Sequence, residues 1–175
     1  MFPTVQPVEV ELGSGDGSFL AEYARQQPEK NFIGVERLLG RARKLSRKGL
    51  RAGLSNLRVI RIEAAYLLEH LLPPGSIAAL HIYFPDPWPK RKHLKNRLIN
   101  ESFPALARTA LTAGGVVHLR TDDADYFSQM TRVFAAAPEF VPVEAPQTLR
   151  EILTDFEKTF HQRGLATRSV SYRRL

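Results

Sequence analysis

The sequence has 175 residues, 43% hydrophobic and 25% charged, enough for one well-buried core and no small scaffold that needs disulfides or metal to hold it. Its lack of cysteine excludes thiolate nucleophiles and Cys-ligated zinc, and its five histidines fall in no H-E-x-x-H spacing. The 25 Lys and Arg against 18 Asp and Glu give a net charge of +7, a field that favours encounter with polyanions such as nucleic acid.

In chain order, VEVEL (8–12), NFIGVE (31–36), LRVIRIE (57–63), IAALHIYF (77–84) and GGVVHLRT (114–121) predict strands. Their apolar runs are too continuous for a sheet wetted on one face. Helical spacing is found at 17–27, 40–53, 65–72, 100–112 and 123–136. This βαβαβ alternation predicts a parallel sheet covered by helices on both sides. Past Pro138 two further strands are expected, 140–145 and 168–175. No repeat, low-complexity tract or dividing linker interrupts the chain, so a single domain over 1–175 is expected. The apolar stretches fall short of a bilayer span and the opening MFPTVQPVEV has no secretory pattern, so a soluble, cytoplasmic protein is expected.

ELGSGDG (11–17) leaves the first strand and opens the first helix, with Gly13, Gly15 and Gly17 permitting a tight turn and close approach of a ligand to the backbone. Glu36, nineteen residues past Gly17, ends the second strand, where a carboxylate accepts ribose hydroxyls. An adenosine-bearing cofactor follows from that pairing. Glu11 and Asp16 flank the loop and would repel a pyrophosphate, yet they attract the ammonium and sulfonium of S-adenosylmethionine, which is therefore favoured over NAD. Glu63 and Ala64, at the end of the third predicted strand, reach the same edge and either meet the adenine or face solvent.

YFPDPWPKRKHLKNR (83–97) is broken by prolines 85, 87 and 89, which exclude a helix interior or a central strand. The prolines fix φ and hold Asp86 and Trp88 with little ordering cost, at the sheet edge where open α/β folds bind ligands. An acid accepts hydrogen bonds from a base edge and an aromatic ring offers a stacking surface. The run Lys90, Arg91, Lys92, Lys95 and Arg97 has no acidic residue from 87 to 100 to neutralise it, and so reads as a phosphate-binding extension of this loop. A second basic stretch, Arg41, Arg43, Lys44, Arg47, Lys48 and Arg51, is expected to be a solvent-facing helix.

VELGSGDGSFL, GVER, IYFPDPWPKRKH, LRTDDADY and TDFEKTFHQRG, in this order over most of the chain, resemble the bacterial tRNA (guanine-N7)-methyltransferases. The resemblance implies a Rossmann-like class I methyltransferase fold, α/β, with a seven-stranded, mostly parallel sheet and one antiparallel strand. It implies methyl transfer from S-adenosylmethionine to N7 of guanine 46 in the variable loop of tRNA. Residue by residue, it puts Glu11, Glu36, Glu63 and Asp86 around the cofactor, with Asp86 also the catalytic carboxylate. Lys90 and Asp122 would meet the substrate, and residues Lys92, His93, Leu94, Lys95, Asn96 and Arg97 would touch RNA. Thr154, Asp155, Phe156 and Glu157 would grip the guanine. Position 63 is Glu where the family usually has Asp, Asp155 stands where a basic residue is common, and the sequence starts close to its first strand where many relatives carry an extension.

Local alternatives stand beside these roles. Thr154 and Glu157 satisfy the S/T-x-x-E capping box, and Asp122 is placed to cap the helix after it. The partners expected are S-adenosylmethionine and tRNA, with no metal and no membrane, for a monomer or homodimer. The rival functions are an exocyclic-amine methyltransferase of nucleic-acid bases, a catalytically silent RNA-binding domain, and an NAD-dependent dehydrogenase.

Overall fold

The computed structural model describes residues 2–175. Seven strands, β1 (Val8–Leu12), β2 (Asn31–Val35), β3 (Leu57–Ile60), β4 (Ile77–Tyr83), β5 (Leu111–Thr121), β6 (Phe140–Val143) and β7 (Arg168–Arg174), form one sheet in the order β3-β2-β1-β4-β5-β7-β6. The first five are parallel, while β7 runs antiparallel to both β5 and β6. The expected mostly parallel, seven-stranded architecture is therefore present. The helices are α1 (Ser18–Gln26), α2 (Leu39–Arg51), α3 (Ala64–His70), α4 (Phe103–Ala110), α5 (Ala124–Ala135), α6 (Gln147–Glu151) and α7 (Asp155–Gln162). A 3-10 turn spans Arg91–Asn96.

Alternation along the strands sends two different sets of side chains to the two faces. Val10, Leu12, Leu80, Ile82, Val117, Leu119 and Tyr172 meet α3, α4 and α5 in a continuous apolar core. Phe32, Leu57 and Tyr83 meet Phe19, Leu20 and Tyr23 of α1, Leu45 of α2 and Leu149 of α6 on the other. That second face also carries Glu9, Glu11, His81, His118 and Arg120, all buried. Buried polar groups persist only when partnered, and most of these are. Glu9 accepts from Lys30 Nζ at 2.9 Å and from His81 Nε2 at 2.7 Å. Although burial alone would raise its pKa, the His81 and Lys30 partners bring the Glu9 carboxyl down to about 2. His118, stacked on His81 at 5.1 Å, shares a hydrogen bond with Ser171 Oγ, and burial pushes its pKa down to about 3.

Boundaries moved where local chemistry overrode periodicity. The third strand stops at Ile60 instead of 63 because Glu63 caps α3, its carboxylate accepting from Tyr66 N at 2.9 Å. The fifth strand starts at Leu111 instead of 114, pairing with Ile77 before an irregularity re-registers Val116 with Ala79. The short helix α6 was not expected from the sequence; it follows Pro146 and lasts five residues.

Candidate active site

At the carboxyl edge of β1 the chain turns through Gly13, Gly15 and Gly17 at φ of 81°, 55° and 76°. Gly13 N and Ser14 N both donate to Val35 O at 2.9 Å, which ties the loop to the end of β2. A Cβ on Gly13 or Gly15 would meet nothing within 4 Å, so open space lies over both. Gly17 is different. A Cβ there would sit 2.1 Å from Leu45 Cδ1, so this glycine, also expected at the cofactor, admits α2 against α1 and is not among the residues that line either space below.

Glu36, at the end of β2, is buried and braces the loop: Oε2 accepts from Gly15 N at 3.1 Å and Oε1 from Leu38 N at 2.7 Å. Beside them Glu63 is exposed and Ala64 half-buried. Gly13, Gly15, Glu36, Glu63, Ala64 and Asp86 all line one cleft of ≈ 460 Å³, together with Phe84, Pro85, Trp88, Asn96 and Leu98. An adjoining space of ≈ 340 Å³ runs from Glu11, Ser14 and Asp16 to Phe156 on α7.

Glu11 sits beneath the glycine loop at 4% exposure, and its Oε2 has no hydrogen-bond partner. Burial pushes its carboxyl up to about 8, against the attraction of Arg120 and with help from the nearby Asp16 and Glu36 charges. A buried, unpartnered carboxyl oxygen in a space edged by two further carboxylates suits a cationic ligand. With the opening over Gly13 and Gly15 and the carboxylate of Glu36, this set of groups fits S-adenosylmethionine; Arg41 and Lys44 line the same spaces.

The proline loop leaves β4 into the same cleft. Phe84 and Trp88 adopt φ of 51° and 43°, left-handed values that bulky residues resist. Between them Asp86 is exposed on the cleft wall. The Trp88 ring stands edge-on to His93 at 5.7 Å. Lys90, Lys92 and Lys95 are exposed along the turn that follows, His93 and Leu94 are half-buried, and Asn96 reaches the cleft.

Arg97, expected among the RNA-contacting residues, is 2% exposed. Its guanidinium donates to Pro87 O at 2.7 Å, Gln129 Oε1 at 2.8 Å and Asp125 Oδ2 at 2.7 Å, and lies over the Tyr126 ring at 4.7 Å. Each of its three guanidinium nitrogens thus donates within the protein.

The T-x-x-E pair is likewise engaged internally. Thr154 Oγ1 accepts from Glu157 N at 3.1 Å, while Glu157 Oε2 accepts from Thr154 N at 2.8 Å and from Arg120 Nη1 at 2.9 Å. Thr154 reaches the cavity wall, while the buried Glu157 completes the α7 capping box and balances Arg120. Asp155 and Phe156 are exposed beside the glycine loop. Asp122 is exposed at the end of β5 and outside both cavity walls. The residue that caps α5 is Asp123, whose carboxylate accepts from Tyr126 N at 2.7 Å.

Ser14, Leu38 and Tyr83 also line these spaces without having been given a site role, and Arg41 and Lys44, expected on a solvent-facing helix, reach them too. Ser14 and Tyr83 lie inside the glycine and proline motifs; Leu38 had no local signal. Among the described residues no group of three or more His, Asp or Glu is placed to hold a metal, and no helix is long and apolar enough to cross a membrane.

A family model described as a putative methyltransferase matches residues 5–169. A tRNA (guanine-N(7)-)-methyltransferase of Aeromonas hydrophila is 37% identical over an alignment covering 100% of this chain and 76% of that protein. Its counterpart in Streptomyces coelicolor is 38% identical, with 100% and 66% covered. Among solved structures, the 16S rRNA methyltransferase KamB superposes with a TM-score of 0.68 at 16% identity, covering 97% of this chain and 88% of that one. At that identity the likeness speaks for the fold alone.

Proposed function

The chain belongs to the family of the tRNA (guanine-N(7)-)-methyltransferases, and from that premise we propose that it methylates N7 of guanine 46 in the variable loop of tRNA, using S-adenosylmethionine, as a single cytoplasmic domain. The observation that carries this reading is the placement of Asp86 on the same cleft as Gly13, Gly15 and Glu36. A base presented to Asp86 thus lies within reach of a ligand held by the glycine loop.

When bound, S-adenosylmethionine supplies an electrophilic methyl group on a sulfonium. Guanine N7 offers an in-plane lone pair and has no proton to lose, so the protein needs no strong general base. Its contribution is orientation, worth up to roughly 7–11 kcal/mol in favourable cases. Glu36 and the Gly13–Gly15 turn would hold the cofactor's ribose side, and Glu11 and Asp16 would receive its cationic side. Asp86 orients the purine through its N–H groups and stabilises the positive charge that develops on it. Lys90, Lys92 and Lys95 take phosphates as the RNA approaches. Phe156, 54% exposed and 6.1 Å from the Phe84 ring, offers a stacking face on the wall of the same cleft.

The test is incubation with labelled S-adenosylmethionine and unmodified tRNA, followed by digestion and identification of the product nucleoside. N7-methylguanosine is expected, with reductive chain scission at position 46. A methylated exocyclic amine, or no incorporation, overturns the proposal.

A further inference from the structure

We propose that Arg97 is a positioning residue for Asp86, the pin that keeps the proline loop aimed into the cleft, and that it makes no contact with RNA. This rests on the methyl-transfer reading above and concerns how its carboxylate is held.

The loop around Asp86 is not self-supporting. Phe84 and Trp88, the residues flanking Pro85-Asp86-Pro87, both have positive φ, a conformation that persists in non-glycine residues only where surroundings impose it. Two hydrogen bonds impose it here, one on each side of Asp86. Phe84 N donates to Arg120 O at 2.8 Å, and Arg97 Nε donates to Pro87 O at 2.7 Å. The first anchor is the main chain of β5. The second is a side chain, and its own fixity is traceable.

Arg97 closes the basic turn, its N donating to Leu94 O at 3.1 Å. Its two terminal nitrogens are held by α5, through Gln129 Oε1 and Asp125 Oδ2, and its plane rests on Tyr126. Tyr126 is fully buried and its hydroxyl accepts from Ile99 N at 2.9 Å, while Gln129 Nε2 donates to Ile99 O at 2.8 Å. One planar fork therefore links three separate pieces of chain, a task an ammonium on a flexible stem does poorly. A phosphate would have to compete with Asp125 and reach a group only 2% exposed. Lys92 and Lys95, five and two residues earlier, are exposed and suited to that contact.

The experiment compares Arg97→Met and Arg97→Lys with wild type, measuring turnover at saturating tRNA, cofactor affinity by calorimetry, and tRNA affinity as a function of salt. Arg97→Met is expected to lose about 100-fold in turnover, the scale of a misplacement near 1 Å. Cofactor affinity and the salt slope stay at wild-type values, and Arg97→Lys recovers only part of the loss. In an Asp86→Ala background, Arg97→Met is expected to have little further effect, because the group it aims is gone. A salt slope shallower by roughly 0.7–0.9, the signature of one lost phosphate contact, with turnover intact, overturns the proposal. So does an undiminished loss in the Asp86→Ala background, which marks a general structural role. If Arg97→Met does not fold, Gln129→Leu and Asp125→Ala loosen the same fork from α5. Each is then expected to lower turnover about 5-fold at constant salt slope, and unchanged turnover in both overturns it. Wild-type protein inactive on tRNA would refute the function itself; active wild type with fully active Arg97→Met refutes only the pin.

Discussion

Two loops leave the same edge of the sheet, from β1 and β4, and hold their carboxylates in opposite ways. The glycine loop reaches its positive φ values with glycines, at no steric cost, and fastens itself by main-chain bonds to Val35 and by the Glu36 carboxylate one strand away. Its stored cost is electrostatic: Glu11 is buried without a partner for Oε2. The proline loop puts aromatic residues at positive φ, about 1–3 kcal/mol of strain each, and is fastened by Arg120 O on β5 and by Arg97, whose other donors are held by α5. Its stored cost is conformational, and Asp86 itself is exposed. The glycine loop takes its turn without strain, whereas the proline loop needs anchors to keep bulky residues in theirs.

Four measurements bear on this contrast. The largest effect is expected from Asp86→Ala, which should reduce turnover about 100- to 1,000-fold, the scale of losing one preorganised electrostatic group, while tRNA affinity changes little. Near-normal turnover would break the assignment of aiming to the proline loop. Glu36→Ala should act on the other side, weakening cofactor binding about 10- to 100-fold in calorimetry, as expected for losing a charged hydrogen-bond acceptor. Turnover at saturating cofactor should be largely kept, and an unchanged affinity would remove the brace from the glycine loop.

Glu11→Gln tests the electrostatic cost through pH. The folded-state pKa of about 8 lies above the unfolded value of 4.5, so the native state binds the extra proton between them. Wild-type stability is therefore fully present below pH 4.5 and lost as pH rises through 8. The glutamine variant lacks this loss and should melt above wild type at pH 8.5, by roughly 2–4 °C per kcal/mol recovered. The gap should close toward pH 5; a gap independent of pH would show that Glu11 is ionised throughout. The smallest effect is expected from Lys92→Ala combined with Lys95→Ala, which should flatten the salt dependence of tRNA binding by roughly 1.4–1.8 in slope. An unchanged slope would mean that this run is merely solvated.

Much of the fold was legible because its signals are local. The first strand has the bounds its apolar pattern predicts, and the strand, glycine turn and helix at 8–26 are encoded within about twenty consecutive residues. The capping box at Thr154 and Glu157 was visible as spacing, but the pairing of Glu157 with Arg120, 37 residues away, was not. Gly17 looks like Gly13 and Gly15 in the sequence; only the approach of Leu45 from α2 separates them. Arg97 shares composition and neighbourhood with Lys92 and Lys95, and differs because α5 packs against it.

By itself the sequence determined what needs only neighbours: the alternation of elements, the glycine turn, the proline-stiffened segment, the excess of positive charge and the motifs that carry the family resemblance. Tertiary structure decided which of these groups lose water and which keep it. Burial engaged Arg97 with Pro87, Gln129 and Asp125, engaged Glu157 with Thr154 and Arg120, and left one Glu11 carboxyl oxygen unanswered. Propensity and spacing act over a few residues, whereas desolvation depends on every element packed against a group, and those elements come from anywhere in the chain.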